Sequence, residues 1–398
     1  MELKPGYKQT EVGVIPEEWA VRGLGDIASV AAGGTPSRKN TTYWNGYIPW
    51  VTTSQIDFNA ITKAEQFITD LGLKNSAAHV LRPGTLLLAL YGQGKTRGKV
   101  GILGIQAATN QACASIEVFP TVSGAYTFHY LASRYEAIRS LSNSGSQDNL
   151  NGQIVKSIPI PLPPTKIEQE AIAEALSDAD ALIESLVQLI AKKRHLKQGA
   201  MQELLAGGKR LPGFTRGWAV KRLEEIAEIV MGQSPSSAHY NRKGNGLPLI
   251  QGNADVSGRV TIQRIFTTAI TKRARCGDIL MSVRAPVGEI SRAVFDVCLG
   301  RGVCAIRYPN DFLYHSLIRE EPSWVKLSKG STFDSVNSAD VKAFEIPIPS
   351  DTDEQTAIAA ILSDMDAEIA ALEAKLTKAR QIKQGMMHNL LTGRIRLV

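Results

Sequence analysis

The sequence predicts an α+β protein in which two globular domains, built from strands and long loops, alternate with two long helices. Three observations lead to this prediction. The chain contains an internal duplication, each copy ends in a helix with heptad periodicity, and the rest of each copy holds short apolar runs broken by glycine. Internal repeats and helical periodicity are strong signals of fold in a single sequence.

The length of 398 residues suits two or three domains, because a single domain is seldom so long. The longest apolar run, residues 85–91, is far shorter than the roughly 18 to 20 residues of a membrane span and suits a buried strand. The N-terminus lacks the charged-then-apolar order of a secretory signal. We therefore expect a cytoplasmic protein.

The duplication is visible as two pairs of matching blocks. Residues 19–24 (WAVRGL) return as residues 218–223 (WAVKRL), at an offset of 199. Residues 158–161 (IPIP) return as residues 346–349, at an offset of 186, so the first copy is 13 residues longer than the second. Since the edges of the copies match while their middles have diverged, we predict two equivalent frames that carry different surfaces.

Each copy ends in a predicted helix of about 40 residues, roughly 60 Å long. The first follows Pro163-Pro164 and ends at Gly207, and the second begins at Asp351 and ends at Gly393. Apolar residues recur in steps of 4 and 3, the heptad pattern of a helix-helix seam. Such a seam is best buried against its own copy, and two independent helices on their own domains are the alternative. The seam residues are Ile172, Leu176, Ala179, Ile183, Leu186 and Ile190 in the first helix, and Ile358, Leu362, Met365, Ile369, Leu372 and Leu376 in the second.

Positive charge is concentrated outside these helices. Residues 1–165 carry 14 basic and 11 acidic side chains, and residues 208–350 carry 20 and 13. The two helical segments are slightly acidic, so the net charge of +7 comes from the globular segments. Apolar runs at residues 84–90 and 277–283 predict buried strands there. A polyanion would therefore be held by the strand-rich domains.

The four cysteines predict no disulfide framework and no metal site. Cys113, Cys276, Cys298 and Cys304 show no CxxC pairing, and no histidine lies at the spacing of a zinc ligand. We interpret all four as buried thiols.

Several motifs follow one another in a fixed order along the chain. These are residues 6–19 (GYKQTEVGVIPEEW), residues 210–214 (RLPGF) before Trp218, and the IPIP blocks, each followed by Glu-Gln and a long helix. Each motif is weak alone, whereas the ordered set with the duplication is highly specific. Over essentially the whole chain, it resembles the specificity subunits of type I restriction-modification enzymes.

The resemblance implies two target-recognition domains of mixed α/β structure, residues 1–165 and 208–350, each reading one half of a split DNA target. It also implies that two spacer helices, residues 166–207 and 351–398, form an antiparallel coiled coil in a pseudo-two-fold frame. These helices would set the separation of the two half-sites. Because the two domains differ in length and content, their half-sites should differ.

The resemblance also implies the partners of the chain. They are double-stranded DNA, two copies of an adenine-specific methyltransferase subunit and, optionally, two copies of a restriction and translocation subunit. No cofactor is expected on this chain, whereas S-adenosylmethionine, ATP and Mg²⁺ are expected in the partner subunits. Since the recognition domains are the variable part of the family, no target sequence can be carried over.

In the first domain, the glycine-rich loop 92–99 is the best candidate for phosphate contact. It carries Gln93, Lys95, Arg97 and Lys99 on a backbone that can approach phosphate closely. A P-loop is excluded, because Ala89 stands where that pattern requires glycine. A solvated basic hairpin without a ligand is the alternative.

Amide and guanidinium side chains at matching places are candidates for base contact. Asn110 and Gln111 can pair with an adenine edge, or be plain turn residues. Arg301 holds the place in the second domain that Gln111 holds in the first, and Arg284 follows a predicted strand. Arginine at such positions suits guanine, or phosphate in the case of Arg284.

A second basic stretch, Lys272, Arg273 and Arg275, suits phosphate contact or a solvated face. The turns Gly145-Ser146 and Gly330-Ser331 correspond between the copies, and we interpret them first as structural caps near the DNA.

The sequence does not support two catalytic functions. An amino-methyltransferase needs a motif of the Asn-Pro-Pro-Tyr kind, but the Pro-Pro at 163–164 precedes a helix. A nuclease needs clustered carboxylates with a lysine, and the nearest spacing, Glu373-Ala374-Lys375, lies on a predicted helix. We therefore expect no catalytic residue. A coiled-coil scaffold that binds protein is the remaining alternative, and the charge distribution argues against it.

Overall fold

The computed structural model describes residues 5–92, 94–141, 149–328 and 335–397. The chain divides into two compact units. The first consists of Met1–Ser185 and Lys375–Val398, and the second of Leu186–Ala374. Each unit therefore combines one globular domain with the first half of one long helix and the second half of the other. Gln93 and the turns Gly145-Ser146 and Gly330-Ser331 lie outside the described residues.

The globular part of the first unit is built on a five-stranded sheet of order β4-β11-β8-β9-β6 and a three-stranded sheet of order β10-β5-β7. Its strands are β1 (Tyr7–Thr10), β2 (Gly13–Pro16), β3 (Ala20–Gly23), β4 (Ala28–Ala32), β5 (Trp44–Val51), β6 (Ala60–Ile61), β7 (Gln66–Ile68), β8 (Leu86–Ala89), β9 (Val100–Leu103), β10 (Ala108–Thr109), β11 (Cys113–Val118) and β12 (Pro159–Leu162). Its helices are α1 (Leu24–Ile27), α2 (Asp70–Lys74), α3 (Gly124–Ser133), α4 (Tyr135–Ser140), α5 (Gly152–Lys156) and the first half of α6 (Lys166–Leu204).

The globular part of the second unit has a six-stranded sheet of order β14-β24-β21-β22-β18-β17 and a five-stranded sheet of order β15-β19-β16-β23-β20. Its strands are β13 (Trp218–Arg222), β14 (Glu228–Met231), β15 (Tyr240–Asn241), β16 (Leu247–Ile250), β17 (Val256–Ser257), β18 (Val260–Thr261), β19 (Phe266–Thr267), β20 (Arg273–Ala274), β21 (Ile279–Ser282), β22 (Ile290–Arg292), β23 (Val297–Leu299), β24 (Val303–Arg307) and β25 (Glu345–Pro349). Its helices are α7 (Leu223–Ile226), α8 (Phe312–Arg319), α9 (Glu321–Ser328), α10 (Ser338–Ala343) and the first half of α11 (Thr352–Leu390).

The predicted strands lie at the centre of each unit. Strands β8 and β21 are buried along their whole length and pair on both sides within their sheets. Each follows a glycine in the left-handed region, Gly84 with φ of +91° and Gly277 with φ of +93°. Glycine adopts this conformation without the steric cost that a Cβ adds. The two domains of mixed α/β structure implied by the family resemblance are therefore confirmed.

The two predicted long helices are also confirmed. Helices α6 and α11 have 39 residues each, which corresponds to a length of about 58 Å. Each is followed by a left-handed glycine, Gly207 with φ of +70° and Gly393 with φ of +67°. A Cβ on either glycine would approach a tryptophan ring, Trp218 or Trp19, within 3.2 Å. The indole therefore packs directly on the turn that ends each helix.

The heptad seam is shared between the helices and the domains. Ile172 and Leu176 belong to the core of the first domain, together with Leu390 from the far end of α11. The alternative of helices packed on their own domains thus holds for the first two turns, because the strand preceding each helix places those turns against the domain. The other seam positions are buried or half-buried within their units: Ala179, Ile183, Leu186, Ile190, Ile358, Leu362, Met365, Ile369, Leu372 and Leu376.

A buried ion pair joins the start of each long helix to a basic segment that follows the other. In the second unit the Arg210 guanidinium donates to both carboxylate oxygens of Glu354, at 2.6 and 2.8 Å. In the first unit the Arg396 guanidinium makes the same bidentate contact with both carboxylate oxygens of Glu168. Both carboxylates are almost fully buried. The adjacent glutamines bond to backbone, which explains the Glu-Gln motif at each helix start.

One expectation about the cysteines is wrong. Cys113, Cys298 and Cys304 are buried, but Cys276 is exposed. It lies in the turn before β21, where its backbone N–H donates to the Asp296 carboxylate at 2.8 Å. Burial raises the pKa of the Cys113 and Cys304 thiols to about 12.

Among the helices of the described residues, none combines the length and the apolar character that a membrane crossing requires.

Candidate nucleic-acid interface

In each unit, the end of the central strand lies beside a tight turn. The Leu90 N–H, just after β8, donates to the Ala112 carbonyl at 2.8 Å. In the second unit the Val283 N–H, just after β21, donates to the Gly302 carbonyl at 2.9 Å. We call this place the loop edge: residues 91–92, 94–99 and 110–112 in the first unit, and residues 284–288 and 300–302 in the second.

The backbone contacts establish which residues of the two loop edges are equivalent. The Asn110 N–H donates to the Val51 carbonyl at 3.1 Å, and the Gly300 N–H donates to the Ile250 carbonyl at 2.7 Å. In both units the bond follows a parallel pair of strands. Gln111 and Arg301 therefore occupy the same position, as their order in the sequence indicated. By the same reasoning, Tyr91 is equivalent to Arg284.

The residues at these equivalent positions are exposed and chemically different. Gln111 and Arg301 are both exposed, and so are Tyr91 and Arg284. The Arg301 backbone N–H donates to the Ser234 hydroxyl at 3.0 Å, which holds the turn but leaves the guanidinium outside. An amide faces solvent in one unit where a cation does in the other. The two edges can therefore recognise different chemical groups.

Asn110 differs from its neighbour in orientation. It is half-buried, and its side-chain oxygen is enclosed without a hydrogen-bond partner among the described residues. Of the two amides that the sequence predicts to contact a base, Gln111 is therefore the more accessible. Asn110 lies in the tight turn over Gly33, where an added Cβ would come within 2.4 Å of the Asn110 carbonyl. This close approach explains why glycine occurs there.

The three cations of loop 92–99 differ in exposure. Lys95 is exposed, Arg97 is half-buried, and the Lys99 ammonium contacts the Asp57 carboxylate at 2.6 Å. A carboxylate that accepts from Lys99 offsets its charge, so Lys95 is the best placed for a phosphate. The loop is held from below, because the Tyr135 hydroxyl donates to the Lys95 carbonyl at 2.5 Å.

The second basic stretch is only partly available. Lys272 and Arg275 are exposed, whereas Arg273 forms an ion pair with Asp296. The hydrogen bond from the Cys276 backbone N–H lowers the pKa of Asp296, and the hydrogen bond from the Arg273 side chain lowers it further. That carboxylate stays ionised and keeps part of the Arg273 charge engaged.

Sequence reasoning missed an aromatic and cationic group in the first unit. The Arg38 guanidinium lies 3.7 Å from the centre of the Trp44 ring and donates to the Gln66 side chain at 2.7 Å. These residues line a surface cavity of about 340 Å³. The signal was the adjacent cations Arg38 and Lys39, close in sequence to two tryptophans.

Comparison with known proteins defines the class. Residues 16–192 and 215–383 match the family model of the type I restriction modification DNA specificity domain, once for each copy of the duplication. The chain therefore belongs to this family.

Relatives that match over nearly their whole length support this family membership. A Methanocaldococcus jannaschii protein named "Putative type I restriction enzyme MjaX specificity subunit" is 30% identical, with 98% of this chain and 97% of the relative covered. A chain solved in work on complex assembly and conformational transition of the type I R-M system is 27% identical, with a TM-score of 0.58 and coverage of 96% and 99%. The type I S subunit from M. genitalium, 17% identical, shares the fold with a TM-score of 0.66 over 98% of each chain.

Proposed function

We propose that this chain is the DNA-specificity subunit of a type I restriction-modification complex. One observation carries the proposal: two frames with the same backbone contacts present different exposed side chains at equivalent positions, Gln111 against Arg301 and Tyr91 against Arg284. A protein that reads two unlike half-sites requires this arrangement. The family membership supports it.

The chemistry of the loop edges assigns roles to their residues. An arginine can donate two hydrogen bonds to the O6 and N7 atoms of guanine, and a glutamine amide can pair with adenine. Arg301 and Arg284 would therefore read guanine, and Gln111 adenine. Lys95, Lys272 and Arg275 would bind phosphates, which add affinity but no sequence information.

The partners follow from the same proposal. Two methyltransferase subunits would bind the helices and domains, and two restriction and translocation subunits would join them in a restriction complex. S-adenosylmethionine, ATP and Mg²⁺ would be bound by those subunits. This chain would supply target binding and no catalytic residue.

We also propose that the long helices set the gap between the half-sites. One heptad adds about 10 Å to a helix, close to the rise of three base pairs. A heptad inserted after Ile190 should therefore change the preferred gap. An unchanged gap would contradict this proposal.

The first experiment is to express the chain with its cognate methyltransferase subunit in a host without modification and to map methylated adenines across the genome. We expect a split, asymmetric motif that appears only when this chain is present. Methylation that is independent of the chain, in spite of a stable complex, would favour the protein-binding scaffold.

Two substitutions connect the motif to the loop edge. Arg301→Gln should change one base of one half-site and leave the other half-site intact. Arg242→Gln is the control, because Arg242 is an exposed arginine of the same unit that lies outside the loop edge, before β16. An identical motif from both variants would remove Arg301 from the recognition surface.

A further inference from the structure

A polar cluster joins the globular domain of the first unit to both long helices. The His129 ring, on α3, lies 3.0 Å from the Ser177 hydroxyl and 3.9 Å from the Asp180 carboxylate, both on α6. The same carboxylate accepts a hydrogen bond from Lys383, on α11. Three elements therefore meet at one aspartate. His129 is 3% exposed, so its ring is buried in this contact.

The second unit contains the same cluster, built from the opposite helices. His315, on α8, lies 3.0 Å from the Ser363 hydroxyl and 4.0 Å from the Asp366 carboxylate. Lys197, on α6, donates to Asp366. Each helix thus supplies a serine and an aspartate to its own domain near its start, and a lysine to the other cluster near its end.

The charges of each cluster lie on the aspartate and the lysine. Burial lowers the pKa of His129 and of His315 to about 4, so both rings are neutral near pH 7. A neutral ring has one donor and one acceptor nitrogen, and its pairing with a hydroxyl is directional. The cluster therefore fixes an orientation rather than adding net charge.

The positions of the clusters on the helices match. The aspartate and the lysine are 17 residues apart on each helix, Asp180 to Lys197 and Asp366 to Lys383. This separation corresponds to about 26 Å of helix. In an antiparallel pair, the aspartate of each helix faces the lysine of the other. Because the aspartate-to-lysine separation is the same on both helices, one register allows both ion pairs to form. A slip by one heptad would separate both pairs.

We propose that these two clusters are the joints that fix the helix register and the orientation of each recognition domain, and so set the gap between the half-sites. The inference rests on the function proposed above. His129, Ser177, Asp180 and Lys383 form the first joint, and His315, Ser363, Asp366 and Lys197 form the second.

The ion pair Lys193–Glu368 serves as a matched control for the joints. It also links α6 to α11, at 2.6 Å, and both of its residues lie on the long helices. A largely exposed ion pair of this kind adds little to the stability of a fold. Reversing Lys193 should therefore weaken the helix contact slightly and leave the gap unchanged.

Charge reversal in the methylation assay tests the first joint. Asp180→Lys places two cations together, and the methylated sites should then include gaps at least one base pair longer or shorter, with both half-site sequences retained. Combining it with Lys383→Asp should restore the single gap, and Lys193→Glu should leave it unchanged. A single unchanged gap in Asp180→Lys, or no restoration in the double variant, would overturn the inference. Absence of a split motif with the wild-type chain would instead refute the proposed function.

Hydrogen exchange of the purified chain gives a readout without DNA. Asp180→Lys should raise exchange at least threefold in α3 and leave α8 unchanged, and Asp366→Lys should do the reverse. The double reversal should return α3 to the wild-type rate. An equal response of both helices, or of neither, would show that the clusters do not act as separate joints.

Matched insertions test the register. One heptad after Ile190 makes the separation 24 residues on α6 but leaves 17 on α11, so both joints cannot form together. This single insertion should therefore change the preferred gap, as proposed above, and also broaden the range of gaps. A second heptad after Leu376 restores equal separations and should give one gap about three base pairs longer. A sharp gap with the single insertion and a broad one with the pair would overturn the inference.

Discussion

The loops that follow the central strands compare directly between the two recognition domains. In the first, the Gly98 N–H closes the loop on the Ala89 carbonyl at 2.9 Å, and in the second, the Gly288 N–H closes a loop three residues shorter on the Ser282 carbonyl at 2.8 Å. The first loop rests on the side chains of Tyr135 and Arg139.

The second loop rests instead on a buried indole. A Cβ on Gly288 would lie 2.4 Å from the Trp324 side chain, which is fully buried and stacked on Phe344. At the equivalent place of the first domain, the buried side chain is Ile138. The same backbone closure is thus supported by polar contacts in one domain and by aromatic packing in the other. Two domains that share the same backbone hydrogen bonds can therefore carry loops that differ in length and in the side chains beneath them.

The largest expected effect is the loss of stability when the buried side chain that supports each loop is truncated. Trp324→Ala should destabilise the second unit by about 4 kcal/mol, and Ile138→Ala should destabilise the first unit by about 3 kcal/mol, because each leaves a cavity of a different size. Urea unfolding of the purified chain measures both. Equal losses below about 1 kcal/mol would show that the cavities collapse and that the supports do not differ.

The buried ion pairs at the helix starts should behave alike in the two units. Arg396→Ala and Arg210→Ala each leave a buried glutamate without its guanidinium, at a cost of about 3 kcal/mol. Thermal unfolding monitored by circular dichroism measures this loss. Arg194→Ala, which removes an exposed pair with Glu373, is the control and should cost at most about 1 kcal/mol. Equal effects of the three substitutions would contradict the role assigned to burial.

Exchanging the side chains at the equivalent positions sharpens the comparison at the loop edge. Gln111→Arg should shift the first half-site toward guanine at one base, and Arg301→Gln should shift the second away from it. Each should lower affinity for the original target by about 2 kcal/mol. Fluorescence anisotropy on duplexes that differ at one base, with the assembled complex, measures the change. Equal weakening on every duplex would identify these residues as phosphate contacts.

The smallest effect at neutral pH concerns the buried histidines, because it develops only below the ordinary pKa of the ring. Burial lowers the pKa of His129 and His315 to about 4 from an ordinary value of 6.5, so the unfolded chain binds protons between these values and the folded chain does not. Stability should therefore fall as the pH falls from 6.5 toward 4, by about 3 kcal/mol for each ring.

Substitution of each histidine by asparagine separates the contributions of the two histidines to this pH dependence. His129→Asn should flatten this pH dependence for the first unit alone, and His315→Asn for the second. Urea midpoints at several pH values measure the slopes. If the urea midpoint still depends on pH in the variant that lacks both histidines, groups other than these histidines cause the dependence.

Some of the candidate site was predictable from the sequence. The order of blocks after each predicted strand was enough to match Gln111 with Arg301. It could not show that the Asn110 side chain turns inward or that Lys99 contacts Asp57. Those contacts join residues that are distant in sequence or depend on backbone direction within one turn. The cavity at Arg38 was missed for the same reason, because Gln66 lies 28 residues away.

The sequence by itself determined the duplication, the two long helices and the charge of the globular domains, because each is a periodic or local property of the chain. Only the tertiary structure decided that each compact unit takes one half of each helix, and that a histidine, an aspartate and a lysine from three elements meet twice. The physical reason is that these polar contacts form between segments brought together by folding. Heptad periodicity predicts which face of a helix is apolar, but not which element covers that face.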